Sequence, residues 1–152
     1  MLDSYFIAAS AVIVFTLGAV HLFYTFVGRK LDPRDDALRA RMQEVPLVIT
    51  RETTMWRAWI GFNASHSIGI ILFGWIYGYL ALAQADVFFK SPFLIGTGVA
   101  LLAAYVALSR HYFFSVPFRG VVAATVSVCV AVAMLVAWRA TRVRPGEVLR
   151  YE

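Results

Sequence analysis

Hydrophobic and polar positions fall into long blocks rather than alternating. Four apolar runs, about 5–27, 56–83, 92–109 and 118–138, are separated by two short polar stretches and one long one. Crossing ~30 Å of hydrocarbon takes about 20 helical residues, and each run is close to or above that length. None holds a Lys, Arg, Asp or Glu away from its ends, Arg57 standing at the edge of the second. In lipid every backbone N–H and C=O must be satisfied within its own segment, so the runs are read as helices. Aromatic residues gather at their ends as an interfacial belt: Tyr24 and Phe26 close the first, Trp56 and Trp59 open the second, Trp138 closes the fourth. The pattern predicts an all-α integral membrane four-helix bundle, with residues 1–152 as a single transmembrane domain.

The long polar stretch, 28–55, carries one further element. Asp32 can cap a helix and Pro33 suits its first position. Leu38, Met42 and Val45 then share a face, while Arg39, Arg41 and Glu44 are polar, and Pro46 ends the run. This predicts a short interfacial helix at about 33–45, lying on the membrane surface. A helix that binds a partner is the other reading of the same composition.

Composition agrees with the pattern. Hydrophobic residues make up 61% and charged residues 15%, against roughly 45–50% and about 25% in a soluble domain. The net charge of +5 comes from Lys and Arg placed between the apolar runs, where they meet anionic lipid headgroups, and not from a nucleic-acid-binding face. The single cysteine, Cys129, makes no internal disulfide and no Cys-type zinc site. Asp3 stands where a signal peptide needs a cation, and the first run is too long for a signal core, so it is read as a retained span. Nine Lys and Arg fall on the side of the long loop (Arg29 to Arg57, Arg110, Arg119) and five on the other (Lys90, Arg139, Arg142, Arg144, Arg150). The excess puts the long loop in the cytoplasm and both termini outside.

The densest polar chemistry opens the second run. At 100° per residue, Glu52, Trp56, Trp59, Asn63 and His66 fall within about 80° of one another, and Ile70 continues the stripe. Polar groups in a span face the bundle or a cavity, so the stripe is expected to point inward. Gly61, Ser65, Gly69, Gly74 and Gly78 offer small surfaces for close helix contact. The first run supplies an opposing face of Gly18, His21, Thr25 and Gly28. At 1.5 Å per residue His21 lies ~9 Å from the loop, and Asn63 and His66 lie ~10–15 Å from it on the same side. The expected site is a cavity lined by His21, Thr25, Trp59, Asn63 and His66, with Trp56 and Glu52 at its loop-side mouth.

Three readings of these residues stand side by side. They are polar glue between helices, or a pocket for a hydrophobic small molecule such as a lipid or quinone, or a pair of axial ligands, His21 and His66, for a haem in a small redox or isomerase-type enzyme. A non-catalytic module binding a hydrophobic ligand, a membrane partner or a second copy of itself is the leading expectation. There is no HExxH, GxGxxG, P-loop or GxSxG, no carboxylate near the histidines at depth, and hence no expected metal site or mid-membrane proton relay.

The block Thr53-Thr54-Met55-Trp56-Arg57-Ala58-Trp59, followed by Gly61-Phe62-Asn63 and Ser65-His66-Ser67, resembles the signature of an uncharacterised family of short bacterial four-helix membrane proteins. His21-Leu22 and the turn Leu31-Asp32-Pro33-Arg34 are similar to that family as well. The resemblance covers most of the first two runs. It implies a four-span fold in a bacterial inner membrane and brings no activity with it.

Overall fold

A computed structural model of the chain describes residues 2–142. Arg144 and Arg150, which enter the charge count above, lie outside the described residues. Six helices follow one another: α1 (Leu2–Phe26), α2 (Asp36–Glu44), α3 (Met55–Ala83), α4 (Ala85–Lys90), α5 (Pro92–Tyr112) and α6 (Ser115–Arg142). Among the described residues there is no strand, only a single antiparallel bridge between Pro46 and Thr54. The fold is all-α. Helices α1, α3, α5 and α6 are each long and apolar enough to cross a membrane. Only 17–28% of the residues in each span are buried inside the fold, and large apolar side chains face outward, such as Leu72 at 52% and Val126 at 56% exposure. A surface this apolar suits hydrocarbon and not water. The chain is a multi-pass membrane protein.

The described residues form two compact units. One joins the first half of α1 to everything from Gly74 onward; the other is Phe15–Phe73. In the first, segments of all four long helices pack together. Buried residues recur at three- and four-residue spacing: Ile7, Ala11 and Val14 on α1, and Ala124, Val128, Ala131 and Leu135 on α6. That is a seam of the kind that joins helices at shallow angles. Small residues set the approach, since a Cβ on Gly78 of α3 would meet the Ala11 Cβ at 3.4 Å. Tyr77 of α3 lays its ring on Gly98 of α5 and donates its hydroxyl to the Leu94 carbonyl at 2.9 Å.

Helix α4 was not anticipated by the pattern. Its six residues form because Phe88 is pulled to 2% exposure against Tyr77, ring centres 5.8 Å apart, and this turns the chain between α3 and α5. Helix α5 opens with Ser91 Oγ accepting from Leu94 N–H and Pro92 in the first turn.

The second unit contains the end of α1, the loop with α2, and the start of α3. α1 stops at Phe26, and Gly28 takes φ +81°, the left-handed conformation a helix end asks of glycine. Gly28 is thus past the helix and not on the face expected to carry Gly18 and His21. The loop helix is real, but it starts later than the sequence implied. Its cap is Asp35, whose carboxylate accepts from Ala37 and Leu38 N–H at 2.8 and 3.3 Å. Asp32 does not cap because two arginines claim it. Arg29 Nε bonds it at 3.4 Å, and Arg39 Nε lies 2.9 Å away as an ion pair without hydrogen-bond alignment. Arg29 also donates to Asp36, which holds its guanidinium above the usual arginine range. No residue of α2 is buried, as expected of a surface helix. The loop then closes through Met55 N–H to Val45 O at 2.9 Å.

Candidate functional site

The site lies within the second unit. Gly18 brings α1 and α3 close, since a Cβ there would meet Ile70 Cγ2 and Ile71 Cγ1 at 3.0 Å. A little nearer the loop, polar residues occupy the seam. His21 Nε2 is 2.9 Å from Asn63 Oδ1. On the other side of the amide, Asn63 Nδ2 donates to the Trp59 carbonyl at 2.8 Å. A carbonyl only accepts, so the amide nitrogen must face Trp59 and the oxygen must face His21. His21 Nε2 therefore carries its proton, and in a neutral ring Nδ1 is the acceptor.

Two hydroxyls complete the seam. Thr25 Oγ1 donates to the His21 carbonyl at 2.8 Å, and Ser67 Oγ donates to the Asn63 carbonyl at 2.7 Å. Both bond one turn back along their own helix, which lets a hydroxyl sit in an apolar setting with its donor satisfied. Thr25, Asn63 and Ser67 are all buried, Ser67 completely.

The outer edge is aromatic. His66 meets His21 edge to face, ring centres 6.0 Å apart at 86°. Phe62 stacks parallel to His66, also at 6.0 Å. His66 is half-buried, whereas Phe62 is 67% exposed and Trp59 40%. A polar imidazole at depth is thus covered on one face by a ring open to the surroundings.

The residues singled out from sequence divide into those the fold gathers and those it does not. His21, Asn63 and His66 meet directly, and Thr25 is bonded to the backbone of His21. Trp59 joins through its carbonyl while its indole points outward. Trp56 lies at the loop end of α3, where the Arg39 guanidinium sits 5.0 Å above its ring. Glu52 is not on the stripe. It is exposed, before α3 begins, in a turn where its own N–H donates to Thr50 Oγ1 at 3.2 Å. The inward face of α3 is centred on Asn63, Ser67 and Ile70, so the stripe is rotated, and Trp59 and His66 lie at its edge. Gly61 and Gly69 face open space and Ser65 is exposed, so these three are not contact surfaces. Ser67 joins the seam although the stripe read from the sequence leaves it out; its place four residues after Asn63 is the signal for it.

One haem held by both histidines requires two ring nitrogens converging on an iron, about 4 Å apart. Here His21 directs Nε2 at Asn63, and the two rings are in direct edge-to-face contact. The pair does not fit that group. Among the described residues no set of three or more His, Cys, Asp or Glu is placed to hold a metal ion. No family model, curated protein or solved structure matches the chain.

Proposed function

We propose that this membrane protein is a non-catalytic module that binds a hydrophobic molecule with a polar head, of the lipid or quinone kind, at the seam of His21, Asn63 and His66. The observation behind the proposal is the half-buried His66 ring set between a hydrogen-bonded polar core and the exposed aromatic ring of Phe62 stacked on it. An imidazole offers a donor and an acceptor to a carbonyl or hydroxyl, and flat aromatic faces suit a planar apolar ring. Pure helix-to-helix glue needs the polar core but not an aromatic rim open to the surroundings. The resemblance of the Thr53–Ser67 block points to a bacterial inner membrane as the setting.

The test uses detergent-purified protein with Trp75 and Trp138 replaced by Phe, titrated with decyl-ubiquinone. Quenching of the remaining Trp56 and Trp59 fluorescence should saturate. His66→Leu and Asn63→Ala should each weaken binding about tenfold, the scale of one lost hydrogen bond in a desolvated site. Helical content by circular dichroism should be retained. Quenching that rises linearly, and identically in all three proteins, overturns the proposal and leaves the seam as interhelical glue.

A further inference from the structure

The segment that joins α2 to α3 is inside out for a loop in water. Met55 N–H donates to the Val45 carbonyl at 2.9 Å, and Pro46 pairs with Thr54 in an antiparallel bridge. Residues 46–54 are thereby drawn into a closed loop at the first turn of α3. Thr54 also seats that turn, since its Oγ1 accepts from Arg57 N–H at 3.4 Å. On the return limb Glu52 N–H donates to Thr50 Oγ1 at 3.2 Å. The tip is left to Val48 and Ile49. Val48 is fully exposed and Ile49 is 88% exposed, whereas Leu47 and Thr50 beside them are half-buried. Turn tips in water ordinarily carry Gly, Asn, Asp or Ser. Two adjacent β-branched apolar side chains there present surface that gains by leaving water.

We propose that Val48 and Ile49 anchor this loop in the leaflet on its own side, inserted where lipid headgroups meet acyl chains. The bridge adjoins Met55 and Trp56, where α3 enters its span with an interfacial aromatic. From Pro46 to Ile49 the chain reaches at most ~11 Å. The headgroup region is about 5–8 Å deep on each side of the hydrocarbon. The acyl boundary is therefore within reach of the tip. Charge agrees with that occupant. Between Pro46 and Arg57 the chain carries Arg51 and Arg57 against the single carboxylate of Glu52, a positive balance that suits anionic headgroups. Both arginines are exposed. A protein partner fits less well, because two small side chains fall far short of the ~800 Å² per side of a stable interface. The bilayer, by contrast, is always beside a loop tethered to spans at both ends.

The experiment places the full chain in nanodiscs of phosphatidylcholine and phosphatidylglycerol, with Cys129→Ala and with Ile49→Cys carrying the environment-sensitive fluorophore nitrobenzoxadiazole. One quencher is a phosphatidylcholine bearing a nitroxide near the top of its acyl chain. The other is iodide in the buffer, which reaches both faces of the disc. The lipid quencher should extinguish most of the emission, and iodide should have little effect. Adding Val48→Asp, at a fully exposed position, should reverse this: iodide quenching rises several-fold and the emission shifts to the red. Efficient iodide quenching without Val48→Asp overturns the proposal, because the tip then stands in water. Protection from both quenchers overturns it in favour of a protein partner or a second copy of the chain. Lipid quenching unchanged by Val48→Asp also overturns it, since the dye and not the loop would then be seeking the membrane.

Discussion

At the scale of single residues, the hydrogen bonds of the seam are coupled through Asn63. Its amide joins the His21 ring to the Trp59 backbone, so Asn63→Ala orphans a ring N–H in lipid and strips a carbonyl of its second partner. Interhelical polar contacts in membranes average about 0.6 kcal/mol and reach about 1.7. Asn63→Ala is therefore expected to cost about 1–2 kcal/mol, read by SDS-induced unfolding in mixed micelles; no change in the midpoint would contradict the coupling. Two glycines offer an opposed pair. A Cβ on Gly98 would lie 2.6 Å from Tyr77 Cε1, and Tyr77 is tethered by its bond to Leu94, so the ring cannot simply swing aside. Gly98→Ala should destabilise by about 1–3 kcal/mol, as overpacking does. Gly61 has open space around its Cβ position, and Gly61→Ala should be neutral or slightly stabilising because alanine is the better helix former. Both substitutions are measured in the same unfolding assay, and equal effects would refute the packing assigned to Tyr77.

At the scale of elements, the loop helix α2 depends on local charge and not on burial. Asp35 caps it, while Asp32 organises Arg29 and Arg39, the latter also resting on Trp56. Asp35→Ala should fray the first turn of α2 at a cost of about 1 kcal/mol. Hydrogen–deuterium exchange across 36–44 should quicken while α3 stays protected. Asp32→Ala should instead loosen the contact of Arg39 with Trp56, shifting Trp56 fluorescence with little change in α2 exchange. If Asp32→Ala frays α2 as Asp35→Ala does, the division of roles between the two aspartates is wrong. The exposed pair of Arg29 and Asp36 is open to solvent on both sides, so it adds little and weakens with salt.

At the scale of the whole molecule, four apolar helices make the chain resist alkaline carbonate washing of membranes. Recovery in the soluble fraction would be inconsistent with the multi-pass reading. Orientation follows from the basic residues around the long loop. With Cys129 replaced by Ala, a single cysteine at Arg51 should resist a membrane-impermeant thiol reagent on intact cells. A single cysteine at Gln84 should be labelled. The reverse pattern would invert the topology.

Much of this was legible in the chain. Span number and approximate limits follow from run length against bilayer thickness, a one-dimensional property that needs no knowledge of neighbours. The meeting of His21 with Asn63 and His66 was legible for a related reason: their depths, counted from a shared loop, coincide. Other features depended on contacts between segments distant in sequence. The cap moved from Asp32 to Asp35 because Arg29 and Arg39 compete for Asp32. Helix α4 exists because Phe88 finds Tyr77. The inward face of α3 turned toward Ser67 because Gly18 admits Ile70 and Ile71, and Glu52 left the stripe because α3 begins only at Met55. Hydropathy and periodicity determined what enters the membrane and roughly which face is polar, because lipid acts on each segment alone. Tertiary structure decided which partner each polar group takes and where each helix ends, because those choices rest on specific distances that no local pattern encodes.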